Sequence, residues 1–300
     1  MPASDGTAIT VHAFGGRGRS AILVHAAGFL AEVLRPLAHE LDDSFNCWAP
    51  DLRGHGESAA PAELDFSWGG FALDVLAAVD ATGRSPAGDD HGVYASPAAP
   101  TTADDSSSQL VGIGHSVGAS ALLAAEALRP GTFAALYCFE PIVIPPGDGW
   151  RPGSSNPLAD GARRRQAVFA SRTAAARRYR LRGPLANLEP AVLAAYVEHG
   201  FADLADGSVT LRCRPEHEAL VYEYGLASDT FDTLGKIRCP VTVAVGTGSV
   251  DLGRLAAPAV VAALADGHLV QVDGVGHLGP LESPSAVAAS ILASVGTSSS

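Results

Sequence analysis

The pentapeptide Gly114-His115-Ser116-Val117-Gly118 constrains this chain more than any other stretch. It is preceded by the apolar run Leu110–Gly114 and followed by an alanine-rich run, Val117–Leu128, that ends at Arg129-Pro130-Gly131. A short continuous apolar run reads as a strand buried on both faces, and the alanine-rich run reads as a helix. The pentapeptide is then a strand-to-helix turn. Glycines on either side of Ser116 allow tight backbone packing, and the turn lifts the serine hydroxyl above the sheet. The alternative is a glycine-rich turn whose serine only caps the helix.

The segments around it alternate. Ala8–Phe14, Ser20–His25, Phe45–Pro50, Ala134–Phe139, Val241–Val245 and Leu269–Val272 read as strands. Ala31–Leu41, Phe71–Val79, a segment between the last two strands, and Pro284–Val295 read as helices. Strands alternating with helices predict an α/β fold, a mostly parallel sheet with helices on both faces. From Pro141 to about Arg238 strand signals thin out and arginine-rich helical segments take over, clearest over Ala162–Leu181 and Pro190–Phe201. This predicts a core of residues 1–141 and 239–300 carrying an inserted helical cap, residues 142–238. Residues 83–108, rich in Gly, Ser, Pro, Ala and Asp, read as a disordered surface insertion within the core.

With 300 residues, 47% of them hydrophobic, the chain can bury a large core. Its formal net charge of -12 disfavours nucleic acid and anionic membranes as partners. No apolar run has bilayer-spanning length, and Met1-Pro2-Ala3-Ser4-Asp5-Gly6 has no basic-then-apolar leader pattern. Cys47, Cys138, Cys213 and Cys239 form no CxxC pair and read as thiols in a reducing compartment. The expectation is a cytoplasmic protein acting on a small molecule, with its oligomeric state open.

A serine becomes a nucleophile only when a base takes its proton. Gly276-His277-Leu278-Gly279-Pro280 offers a histidine after the last strand and before the last helix. Topology places His277 beside Ser116. With these two, His25-Ala26-Ala27-Gly28-Phe29 and Asp51-Leu52-Arg53-Gly54-His55-Gly56-Glu57-Ser58 complete four motifs in order. In them the chain resembles the capped α/β-hydrolase superfamily over nearly its whole length, residues 83–108 excepted.

The resemblance implies an α/β-hydrolase fold with Ser116 as nucleophile and His277 as base. It implies an oxyanion hole from the backbone N–H groups of Val117 and Ala27. Ala26 stands where the family usually has glycine, and Gly28 is the alternative donor. The Asp51–Ser58 turn is expected to hold loops near the site. For the acid that orients His277, the usual position after the penultimate strand is occupied by Ser249, with Asp251 two residues beyond. The rival is Glu140, in Leu136-Tyr137-Cys138-Phe139-Glu140-Pro141. Glu140 is preferred, with Asp251 as the alternative.

A serine nucleophile points to esters, lactones, thioesters or related acyl and carbonyl substrates. No metal or organic cofactor is implied. Two other readings stand beside hydrolysis: a perhydrolase, acyl transferase or lyase on the same fold, and a catalytically weak binding protein. In the cap, Arg163, Arg164, Arg165, Arg177, Arg178, Arg180 and Arg182 either greet an acidic substrate or form a solvated face. Phe66 and Trp68 either line an acyl pocket or belong to the core.

Overall fold

The computed structural model describes residues 1–82, 110–146, 156–181, 183–226 and 228–295. The predicted insertion at 83–108, Arg182 and the last residues of the chain lie outside the described residues.

The chain opens with β1 (Val11–Gly16) and β2 (Arg19–Val24), then a 3-10 turn at Ala31–Leu34 leading into α1 (Arg35–Glu40). β3 (Phe45–Pro50), α2 (Trp68–Thr82), β4 (Val111–His115), α3 (Val117–Leu128) and β5 (Ala135–Phe139) follow. The middle of the chain carries α4 (Pro157–Arg163), β6 (Val168–Phe169), α5 (Arg172–Leu181), α6 (Pro190–His199), β7 (Phe201–Asp203), β8 (Val209–Leu211), α7 (Pro215–Leu226) and α8 (Thr230–Thr233). It closes with β9 (Val241–Gly246), α9 (Leu252–Ala263), β10 (Gly267–Val272), α10 (Gly279–Glu282) and α11 (Pro284–Val295).

Seven strands form one sheet in the order β1-β3-β2-β4-β5-β9-β10. Among the described residues of this sheet, only β1 runs antiparallel, against β3; the other pairs are parallel. Continuous apolar runs form the central strands because both faces are covered. Leu23, Ile113, Tyr137 and Phe139 face α1 and α11, where they meet Leu37, Val287 and Ile291. Ile22, Val24, Leu136, Cys138 and Val243 face the other way, onto Phe71 and Val75 of α2, Leu122 of α3 and Val260 of α9. Each such side chain taken fully out of water contributes roughly 1.5–3 kcal/mol.

All four cysteines are free thiols. Among the described residues, no helix is long and apolar enough to cross a membrane.

Between β5 and β9 the structure departs from the expected run of helices. The helix predicted over Ala162–Leu181 is broken: α4 ends at Arg163, Val168 and Phe169 form a strand, and α5 restarts at Arg172. Ser171 accepts the Ala174 N–H at 3.2 Å and starts that new helix. The helix predicted over Pro190–Phe201 stops at His199, and Phe201 opens β7. β6, β8 and β7 form a small antiparallel sheet. Its pairing buries Phe169 and Phe201 edge-to-face, 5.7 Å apart, beside Tyr179 and Tyr196. The burial gained by this aromatic cluster outweighs the helical propensity of the surrounding sequence.

Candidate active site

Ser116 sits between β4 and α3 with φ 55° and ψ −117°, a left-handed backbone that a side-chain-bearing residue adopts only under constraint. Its N–H donates to the Phe139 carbonyl at 2.8 Å, tying the turn to β5. Gly118 allows α3 to lie against β2: a Cβ there would stand 2.3 Å from the Val24 carbonyl oxygen. The turn therefore holds the serine side chain at the carboxyl end of the sheet.

The loop after β10 brings His277 to the same end. His277 Nε2 lies 3.1 Å from Ser116 Oγ, and His277 Nδ1 lies 2.7 Å from Glu140 Oε2. Glu140 directly follows β5, is fully buried and has φ 44°. Its carboxylate also accepts the Gly246 N–H at 3.0 Å and the Ser249 hydroxyl at 2.8 Å. Ser249, at the position where an aspartate was expected, is thus a donor to Glu140. Asp251 immediately precedes α9, is exposed, and makes no hydrogen bond to His277. Its carboxylate still comes within 4.8 Å of both Glu140 and His277. Among the described residues these three are the one grouping with spacing for a metal ion. A cation there would compete with the existing bond between His277 and Glu140.

Two other histidines brace the loops. His25 Nδ1 donates to the Ala26 carbonyl at 2.8 Å while Nε2 accepts the Leu52 N–H at 3.0 Å. His55 Nδ1 donates to the Arg53 carbonyl at 2.9 Å while Nε2 accepts the Gly28 N–H at 3.1 Å. Each therefore needs its neutral form. Burial enforces this, pushing His25 down to about 3 and His55 down to about 4. Asp51 accepts the N–H groups of Ala31 at 2.7 Å and Glu57 at 2.9 Å. The buried Arg53 guanidinium pairs with Asp74 at 2.7 Å and with Asp5 at 2.9 Å.

His115, inside the serine pentapeptide, donates from Nε2 to the His277 carbonyl at 2.8 Å. Its ring is 5.3 Å from that of His277, and its buried Nδ1 has no partner. Burial, with His277 nearby, holds its pKa well below the usual histidine value.

The expected oxyanion donors differ in availability. The N–H groups of Ala27 and Val117 donate no hydrogen bond among the described residues; Val117 opens α3, where helix N–H groups have no partner in the helix. Gly28, the alternative donor, has its N–H committed to His55.

A cavity of about 980 Å³ opens over His277 and Ala27. The segment between β5 and β9 supplies more of its wall, including Arg165, Tyr179, Tyr196 and Glu218. Of the arginines between β5 and β9 singled out in the sequence, Arg163, Arg164, Arg177, Arg178 and Arg180 are exposed and Arg165 is half-buried; Arg165 and Arg178 line the cavity. Phe66 and Trp68 are buried core residues, and Trp68 Nε1 donates to the Ile142 carbonyl at 3.0 Å. Sequence reasoning missed His115 and the pairing of His55 with Gly28, although both histidines stood inside motifs already singled out.

No protein of curated function matches the sequence. Among solved structures, the fold is similar to E-2-(acetamidomethylene)succinate hydrolase, with TM-score 0.73 and 21% identity over 97% of this chain and 96% of that one. It is similar to a peroxisomal alpha-beta-hydrolase from Saccharomyces cerevisiae, with TM-score 0.73 and 19% identity over 97% and 81%. It is also similar to the enol-lactonase from Burkholderia xenovorans LB400, with TM-score 0.65 and 19% identity over 96% of each chain. At these identities the likeness establishes the fold. The description of the alpha/beta hydrolase family matches residues 21–290. With that match over most of its length, and with a serine turn, a late histidine and a buried carboxylate gathered at the carboxyl end of its sheet, the chain belongs to the alpha/beta hydrolase family.

Proposed function

We propose that the protein is a serine hydrolase that cleaves a small ester, lactone, thioester or related acyl substrate by way of Ser116, His277 and Glu140. One observation carries the reading: the continuous hydrogen-bonded path from Ser116 Oγ through His277 to Glu140, at 3.1 and 2.7 Å. In this mechanism His277 Nε2 takes the hydroxyl proton as Ser116 Oγ bonds to the substrate carbonyl carbon. The Ala27 and Val117 N–H groups receive the negative charge that develops on the carbonyl oxygen. The tetrahedral intermediate collapses, and His277 passes its proton to the leaving group. Water then repeats the sequence on the acyl-enzyme and restores Ser116. Glu140 accepts from Nδ1 throughout, keeps Nε2 facing the serine, and stabilises the imidazolium that forms twice per turnover.

Residues 142–238 act as the cap in this reading. Its support is that Arg165, Tyr179 and Tyr196 line the same cavity as Ala27 and His277.

The test is labelling with a fluorophosphonate probe and mapping of the adduct by mass spectrometry. An adduct on Ser116, absent from Ser116→Ala, is the expected result. Folded wild-type protein that takes up no probe would overturn the proposal and favour a binding protein.

A further inference from the structure

We infer that the ion pair of Arg165 and Glu218 is a polarity filter that selects substrates carrying an uncharged hydrogen-bonding group, a hydroxyl or carboxamide, close to the scissile carbonyl. This rests on the serine-hydrolase reading above.

The pair lies beside the proposed oxyanion loop. A Cβ on Gly28 would stand 2.7 Å from Glu218 Oε1 and 3.0 Å from Arg165 Nη1. Gly28 directly follows Ala27, so any substrate whose carbonyl oxygen meets the Ala27 N–H has its neighbouring atoms against this pair. Both residues line the cavity. The Glu218 side chain is 7% exposed and that of Arg165 is 23% exposed.

The pair also has unused bonding capacity. Arg165 donates to Glu218 Oε2 and, at 2.7 Å, to the Tyr196 hydroxyl. A guanidinium has five N–H donors, so others remain. Among the described residues, Glu218 Oε1 accepts only a long bond of 3.3 Å from the Tyr222 hydroxyl. The cavity thus presents a donor and an acceptor side by side, with their charges cancelling.

Three kinds of substrate group fare differently against such a surface. A hydroxyl or carboxamide accepts from the guanidinium and donates to Oε1, replacing the water it displaces. An alkyl chain covers the same atoms and satisfies none of them. A carboxylate gains Arg165 but meets the Glu218 charge at the same place. The other charges on the cavity wall do not tip this balance toward anions, because its lining holds one further arginine, Arg178, and two further carboxylates, Asp251 and Glu282.

The test compares two ester series. The acyl series is the 4-nitrophenyl esters of butyric acid, 3-hydroxybutyric acid and succinic acid (the monoester). The alcohol series is the butyrate esters of ethanol, ethylene glycol and glycolic acid. In at least one series wild type should favour the hydroxyl member by about tenfold or more in kcat/KM over both others. Glu218→Gln leaves Arg165 without its counter-charge, so the carboxylate member should rise about tenfold relative to the hydroxyl member. A purely structural ion pair would lower thermal stability and leave the ranking alone. Wild type preferring the alkyl or carboxylate member in both series overturns the inference without any variant. So does a ranking unchanged in folded Glu218→Gln. Fluorophosphonate labelling of Ser116 in the same samples separates the two levels. Labelled enzyme with the wrong ranking sinks the filter alone, whereas folded, unlabelled and inactive wild type sinks the hydrolase reading and the filter with it.

Discussion

His55 Nε2 accepts the backbone N–H of Gly28 at 3.1 Å, across 27 residues of sequence. The bond anchors the loop after β2 to the Asp51–Ser58 turn and takes Gly28 out of competition as an anion donor. Ala27, one residue earlier, donates no hydrogen bond from its N–H among the described residues.

Replacing His55 should therefore act through loop geometry. His55→Leu is expected to lower kcat about tenfold to hundredfold with a smaller change in KM, because a misplaced donor weakens stabilisation of the transition state more than binding. His55→Gln, which retains an acceptor, should recover most of the loss. Steady-state kinetics on any active ester checks both. Equal losses in the two variants would assign His55 to packing alone.

The two candidate acids call for different kinetic outcomes. Glu140→Gln leaves an amide opposite His277 Nδ1 and should cut kcat by about 10³-fold or more. Asp251→Asn changes an exposed carboxylate with no bond to His277 and should cost less than about threefold. Kinetics of both variants, with circular dichroism as a check on folding, decides the matter. The reverse ranking would move the acid role to Asp251.

His115 holds the His277 loop from inside the serine turn. His115→Phe removes the donor to the half-buried His277 carbonyl. The expected result is a fall in kcat of about tenfold with KM little changed. His115→Asn or His115→Gln tests whether any donor suffices. An unchanged kcat in a folded His115→Phe would show that the loop is held elsewhere.

Stability should fall on acidification through the buried histidines. His25 and His55 have folded values of about 3 and about 4, against an ordinary 6.5. Their full contribution is present above 6.5. As pH drops below that value the unfolded chain takes up protons that the folded chain refuses, and stability drains until the folded values are reached. Each ~1 kcal/mol withdrawn lowers Tm by roughly 2–4 °C in a chain of this size. Thermal melts at pH 7, 5 and 4 measure the slope. His55→Gln should flatten it, and an unchanged slope would place the acid sensitivity in other groups.

Much of this protein was legible as sequence. Local periodicity and turn chemistry act over a few residues, so the strands from β2 to β5, the helix after Ser116 and the final helix could be read directly. So could the fold class, because strands separated by helices permit few sheet topologies. The small sheet in the middle of the chain was not read. Its strands have two or three residues, too short to show a period, and they exist because Phe169 and Phe201 are buried by pairing. One local signal was present: Asp206-Gly207, with Gly207 at φ 83°, closes the turn between β7 and β8.

Sequence order alone brought Ser116 and His277 to one end of the sheet, since both follow strands of a parallel sheet and share its carboxyl edge. It left Glu140 and Asp251 as rivals, because each also follows such a strand. What separates them is whether the carboxylate reaches His277 Nδ1, a contact made across 137 residues. Arg165 was likewise one of seven arginines until the packing of α7 set Glu218 beside it. Short-range patterns determined which elements form; side-chain distances between residues far apart in the chain were decided only when the sheet order and loop paths closed around them.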